Sequence, residues 1–198
     1  MRSAAQQVVL ASGNAGKLRE LQAALADSGL ELIPQSQFSI TEAVEDASTF
    51  LENALIKARH AAKQTGLAAL ADDSGLVVPA LNGAPGIHSA RYSGGGDNAN
   101  NDKLLTELTD ITGSSRQAWY MCVLVYVSHE SDPAPKVAEG RWYGEIALAP
   151  RGSGGFGYDP IFWLPELNCS AAELDAATKQ RLGHRGKAVA KLREQFEL

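Results

Sequence analysis

The chain has 198 residues, enough for one sizeable domain or for two small lobes that share a sheet. Its 44% hydrophobic and 21% charged composition is that of an ordinary globular protein, with no apolar run near the roughly 18–20 residues that span a bilayer. A net charge of −5 argues against a broad nucleic-acid footprint, whereas a small anion needs only local cations.

Cys122 and Cys169 stand far apart with no His or Cys at zinc-ligand spacing, so they read as free thiols of a reducing compartment. The residues before Val8 lack the apolar stretch of a signal peptide, and the expected location is cytoplasmic. No internal repeat, low-complexity tract or interdomain linker divides the chain, which predicts a single domain over 1–198.

In chain order, Gln7–Ala11 predicts a buried strand, β-branched and apolar. Ser12-Gly13-Asn14-Ala15-Gly16-Lys17 follows, then an amphipathic helix with Leu18, Leu21, Ala24 and Leu25, which Gly29 is placed to stop. Strand, small-residue loop and helix N-terminus suit phosphate, because free backbone N–H groups and the positive helix end face the anion. Lys17 adds a point charge. The spacing fits neither the P-loop nor the dinucleotide fingerprint, and such junctions also use Ser, Gly and Asn merely to turn.

Glu31–Pro34 suits a second strand, and the polar stretch after it holds Glu42, Glu45 and Asp46. Thr49-Phe50-Leu51-Glu52 has capping-box form and predicts a helix to about Thr65, ended by Gly66. Asn53 and Lys57 share a face of that helix, which by itself reads as solvated. Next comes Ala71-Asp72-Asp73-Ser74-Gly75, set between the apolar runs Leu67–Leu70 and Leu76–Val78. An acidic pair there suits either a polar turn or an Mg²⁺ ion, a hard cation that takes oxygen ligands beside substrate phosphates.

Ser93–Asn98 reads as a glycine-rich surface loop before a helix with Leu104, Leu105 and Leu108. Ala118–Ser128 is the clearest strand, and Val137–Ile146 its antiparallel partner across Asp132-Pro133-Ala134-Pro135. Arg151–Pro160 brackets Phe156 and Tyr158 with glycines, as a ring-binding loop or as a turn with inward aromatics. Ile161–Trp163 reads as a short strand. Ser170–Glu173 has capping-box form, opening a helix towards Lys179, and His184-Arg185 precedes a final helix with Ala188, Val189, Leu192 and Phe196 inward.

Together, Ser12-Gly13-Asn14 with Lys17, Asp72-Asp73-Ser74-Gly75, Phe156–Pro160 and His184-Arg185 make the chain resemble the inosine/xanthosine triphosphate pyrophosphatase family. Glu52-Asn53-Ala54 with Lys57 and Gly83-Ala84-Pro85-Gly86 extend the resemblance, which runs from about Val8 to the last helix. Gly183 stands where the family commonly has Ser, and Ser153 where Thr is frequent.

The resemblance implies an elongated α/β fold, a long mixed β-sheet flanked by helices, with two lobes and the active-site cleft between them. It also implies a homodimer and Mg²⁺-dependent hydrolysis of XTP, ITP and dITP to the monophosphate and pyrophosphate. Carried over by position, Ser12, Gly13, Asn14, Ala15, Gly16 and Lys17 hold the triphosphate, reinforced by Lys57. Glu45 and Asp73 bind the metal, and Asp73 also takes the proton of the attacking water. Ser74, Phe156, Gly157, Tyr158, Asp159, Lys179, His184 and Arg185 contact the nucleotide. The alternatives are a pyrophosphatase for other modified or standard triphosphates, and a nucleotide sensor without catalysis. No nucleic acid or membrane is expected as a partner.

Overall fold

A computed structural model describes residues 6–26 and 28–196; the first five residues, part of the stretch read as lacking a leader, lie outside them. Strand β1 (Gln6–Ala11) leads into helix α1 (Ala15–Ala24) and strand β2 (Leu30–Pro34). Helix α2 (Phe50–Thr65) then precedes strand β3 (Ala68–Val77). After helix α3 (Asp97–Glu107) come the long strands β4 (Gln117–Val127) and β5 (Lys136–Ile146). Short strands β6 (Phe162–Leu164) and β7 (Cys169–Ser170) and helices α4 (Ala176–Leu182) and α5 (His184–Glu194) complete the order.

The strands form one sheet in the order β2-β1-β3-β4-β5-β6-β7. Pairing of β1 with β2 and β3 is parallel, while β5–β6 and β6–β7 are antiparallel, so the sheet is mixed as the resemblance implies. Since β1 lies between β2 and β3, the chain winds away from it in opposite directions. The carboxyl end of such a strand is a topological switch point, where α/β sheets bind ligands. Among the described residues no helix is long and apolar enough to cross a membrane.

The chain divides into two compact units, Met1–Asp73, Cys122–Gly140 and Arg185–Leu198 in the first, Ser74–Met121 and Arg141–His184 in the second. Each has its own apolar core. In the first, Val8, Leu10, Leu21, Leu70, Leu124 and Leu192 are fully buried, and Phe196 meets the Tyr126 ring edge-on at 4.8 Å. In the second, Leu76, Leu104, Leu108, Ile161 and Phe162 are fully buried, with Tyr120 and Phe162 rings 4.6 Å apart.

Several local readings change. Asp72-Asp73-Ser74-Gly75 is no turn: it runs inside β3, which joins both flanking apolar runs into one ten-residue strand. Helix α1 stops at Leu25, short of Gly29, because the chain turns on the Ser28 hydroxyl, which donates to the Leu25 carbonyl at 2.6 Å. Asp97, read as loop, is the first residue of α3. The Ser170 capping box closes only a single 3₁₀ turn, and α4 starts afresh at Asp175, whose carboxylate accepts from the Thr178 N–H at 2.8 Å. Thr49 and Gly66 do bound α2 as predicted, Gly66 with φ 69°.

Candidate active site

Register places the first cluster. Leu10 pairs with Leu70 and Ala11 with Ala71, so the loop leaving β1 at Ser12 starts level with Asp72. Alternation along β3 then turns Asp72 and Asp73 to opposite faces. Asp72 receives Lys17 at 3.3 Å and Arg185 at 3.6 Å on the same carboxylate oxygen. Arg185 is also paired with Glu20. Burial opposes the Arg185 charge, but Asp72 and Glu20 outweigh it and hold the guanidinium firmly protonated.

The other face belongs to α2. Lys57 Nζ lies 3.0 Å from Asp73 Oδ1 and 3.1 Å from Glu45 Oε2, while Asn53 Nδ2 donates to Asp73 Oδ2 at 3.4 Å. Asn53 Oδ1 accepts the Ala47 N–H at 3.2 Å and so ties down the acidic loop that carries Glu45. The Asn53–Lys57 face, read as solvated, is therefore the wall of the carboxylate cluster, with Asn53 only 1% exposed. Burial is the main reason that the Asp73 carboxyl is raised above its ordinary range, against the pull of Lys57 and Lys17. Burial works against Lys57 too, yet Asp73, Asp72 and Glu45 together raise it.

In the loop after β1, Asn14 caps α1 by accepting the N–H groups of Gly16 and Lys17 at 2.9 and 3.1 Å. Two donors that the sequence offers to an anion are thus engaged within the loop. Gly13 and Asn14 remain exposed, Ala15 opens the helix, and Ser12 Oγ accepts the Asn14 N–H at 3.3 Å.

Whether Mg²⁺ fits can be judged from the donors. Glu45 and Asp73 converge on one cationic point, the Lys57 ammonium, and present hard oxygens. Mg²⁺ is commonly bound by one or two carboxylates plus phosphate and water. Among the described residues no group of three or more His, Cys, Asp or Glu could cage a metal unaided. The pair suits an ion shared with a phosphate, and not one held by protein alone.

The second unit carries the other cluster. Gly155 and Gly157, at φ 73° and 63°, bend the loop so that the Phe156 N–H reaches Asp159 Oδ2 at 2.8 Å. A Cβ on Gly155 would meet that carboxylate at 2.1 Å. Lys179 Nζ pairs with the same oxygen at 2.6 Å and stands 4.5 Å from the Phe156 ring centre. Tyr120 donates to Asp159 Oδ1 at 3.4 Å, and the His184 ring stacks on Tyr120 at 4.7 Å. Burial first, then the Asp159 charge, pushes the Tyr120 phenol well up and keeps it a donor. Tyr158 donates to the Ser89 carbonyl at 2.9 Å. At Gly183 a Cβ would meet the Lys179 carbonyl at 2.6 Å, so the glycine here closes the chain onto α4.

Of the predicted site residues, Lys17, Glu45, Lys57, Asp73 and Arg185 gather around β3 in the first unit. Phe156, Asp159, Lys179 and His184 are linked in the second, and half-buried Ser74 follows Asp73 on β3. Two partners, Glu20 and Tyr120, escaped sequence reading, and Asn53 was read only as sharing a face with Lys57. That spacing of one helical turn from Lys57 was the signal of its contact with Asp73.

The fold and the two clusters define an α/β protein with a strand–loop–helix at Ser12–Lys17 beside paired carboxylates. The chain belongs to the Ham1 family, whose model matches residues 8–195. It is 54% identical over 196 residues to the dITP/XTP pyrophosphatase of Vibrio cholerae serotype O1, covering 97% of each chain. It is 55% identical to that of Bordetella parapertussis, over 94% of this chain and 89% of the relative. A HAM1 protein from Coxiella burnetii has the same fold, with TM-score 0.90, 49% identity, and 97% and 98% of the two chains covered. The Ham1 protein of Staphylococcus aureus follows at TM-score 0.86 and 39% identity, with the same coverage.

Proposed function

We propose that this chain hydrolyses non-standard purine nucleoside triphosphates, XTP, ITP and dITP, to the monophosphate and pyrophosphate, cleansing the nucleotide pool. The observation that carries the reading is β3 turning Asp72 and Asp73 to opposite faces, each onto a lysine. The Ser12–Lys17 loop and Lys57 hold the triphosphate, where Lys17 and Lys57 offset its charge. Glu45 and Asp73 would hold Mg²⁺, which when bound neutralises phosphate charge as pyrophosphate leaves. Asp73 orients the attacking water and accepts its proton for in-line displacement at the α-phosphorus. Its buried position beside Asn53 and Lys57 supports that role.

Phe156 stacks on the purine with the face away from Lys179, while Asp159 fixes the loop through the Phe156 N–H. Ser74, Gly157, Tyr158, Lys179, His184 and Arg185 complete the nucleotide contacts. The Arg185 guanidinium already serves Glu20 and Asp72, so discrimination at C6 falls chiefly to other N–H donors. Such donors pair with the carbonyl of hypoxanthine or xanthine and meet adenine's amino group donor to donor. Unpaired buried donors can discriminate by roughly 10⁴-fold.

Pyrophosphate release from XTP, ITP, dITP, GTP, ATP, dUTP and dTTP, with and without Mg²⁺, tests the reading. Activity confined to the first three and lost with EDTA is the expected result. Comparable ATP and ITP rates would end the selectivity claim, and binding without release would make the chain a sensor. A cytoplasmic homodimer belongs to the same proposal on the resemblance alone; sedimentation of the purified protein at twice the chain mass is expected.

A further inference from the structure

Helix α3 carries no residue of the predicted site, yet its first turns reach into the aromatic loop. Asp97 Oδ2 accepts the Gly157 N–H at 2.7 Å, and Asn101 Nδ2 donates to the Gly157 carbonyl at 3.2 Å. The two side chains stand one helical turn apart and so grip both polar groups of one residue. Gly157, at φ 63°, is the joint between Phe156 and Tyr158. Asn100, on the adjacent face, donates to the Ser89 carbonyl at 3.3 Å, the same oxygen that receives the Tyr158 hydroxyl at 2.9 Å. Three residues of one helix thus fix the loop just after Phe156, directly at Gly157 and through the Ser89 carbonyl at Tyr158.

Stability alone is a poor account of this grip. Asn101 is 4% exposed, and its Oδ1 has no hydrogen-bond partner among the described residues. A buried amide that leaves its own oxygen unpaired is costly, so an apolar residue would serve packing better. Asp97 is exposed, where a single hydrogen bond adds little to folding but still sets a backbone direction.

We infer that Asp97 and Asn101 are positioning residues for purine binding: they hold Gly157 so that the Phe156 ring is set for the base before substrate arrives. The inference rests on the reading of Phe156 as the stacking residue. Preset geometry lowers the ordering cost of binding, and its loss shows in KM ahead of kcat.

The test compares Asp97→Ala, Asn101→Ala and Asp97→Asn, each alone and with Phe156→Ala, using ITP. Asp97→Ala and Asn101→Ala are expected to raise KM at least about fivefold with kcat within about threefold. Asp97→Asn keeps an oxygen acceptor for the Gly157 N–H and should stay near the parent KM. In the Phe156→Ala background, Asp97→Ala should add nothing, because the residue acts through the missing ring. Asp97, being exposed, provides a variant that folds even where Asn101→Ala does not. If Phe156→Ala raises KM while both α3 variants leave it unchanged, or if the effects simply add, the inference is overturned. If Phe156→Ala itself leaves KM unchanged, the stacking assignment fails first and this inference with it.

Discussion

The two clusters are built from different materials. In the first unit, Lys17, Lys57 and Arg185 are interleaved with Asp72, Asp73, Glu45 and Glu20, and most of the charges project from strand β3 and helices α1, α2 and α5. In the second, one ion pair, Asp159 with Lys179, is surrounded by the rings of Phe156, Tyr120 and His184, and the phenylalanine sits on a loop. A charged transition state demands fixed charges, and regular backbone holds them with least freedom. A flat, weakly polar ring needs a surface and a few donors, which a braced loop can supply.

The contrast can be broken most sharply at Asp73. Asp73→Asn keeps the shape and the Asn53 contact but loses the proton acceptor; turnover should fall by about 10²–10⁴-fold in a pyrophosphate-release assay with the circular dichroism spectrum unchanged. Near-normal rates would move the chemistry away from β3. Next is Lys57→Met, which leaves Glu45 and Asp73 without their common cation. Breaking this half-shielded pairing should cost about 2–4 kcal/mol in urea unfolding. Added Mg²⁺ should recover part of it, because an ion that binds only the folded state stabilises it.

Phe156→Ala probes the other side of the comparison. Base stacking on an aromatic ring contributes about 1–3 kcal/mol, so KM for ITP should rise roughly tenfold. Inhibition by inorganic triphosphate, which has no base, should not change. An equal loss for both ligands would erase the division of labour.

Two smaller effects fall on residues that neither cluster uses and calibrate them. Asp132 accepts the Ser128 N–H, the Ala134 N–H and the Ser128 hydroxyl, which hold its carboxyl down to about 2. A depressed folded value means that its stabilisation is complete above the unfolded value of about 4 and is lost as pH falls through about 2. Asp132→Asn should therefore flatten the acid limb of a thermal-melt series over that window while leaving activity alone. Cys122 is fully buried, and burial pushes its thiol up to about 12, so iodoacetamide at pH 8 should label at most half-buried Cys169 until the protein is unfolded.

Much of this was legible before any coordinates. The strand–loop–helix at Ser12–Lys17, the caps of α2 and the long strands β4 and β5 announce themselves through local patterns that the fold respects. Asp72-Asp73 stood out as an acidic pair but not as part of a strand. Polar residues inside a strand disguise it as a turn, and only the register with β1 restores it. Glu20 and Tyr120 left no trace, since each takes its place only through a partner far along the chain, Arg185 in one case and Asp159 in the other. The grip of α3 on Gly157 hid for the same reason: Asp97 beside a run of glycines looks like loop polarity until the helix starts there.

The division of the chain itself bears on synthesis. The first unit begins at the N-terminus, yet its core includes Ala188, Val189 and Leu192 from α5. The second unit comes from Ser74–Met121 and Arg141–His184, and so has all of its sequence before the final helix. On the ribosome the second unit has its whole sequence available first, whereas the first must wait with Val8 and Leu70 uncovered until the final helix emerges. The first segment translated is thus the last to be sealed, and a message cut short before Leu192 would leave that core incomplete and its apolar surface exposed, the kind of product that quality control removes.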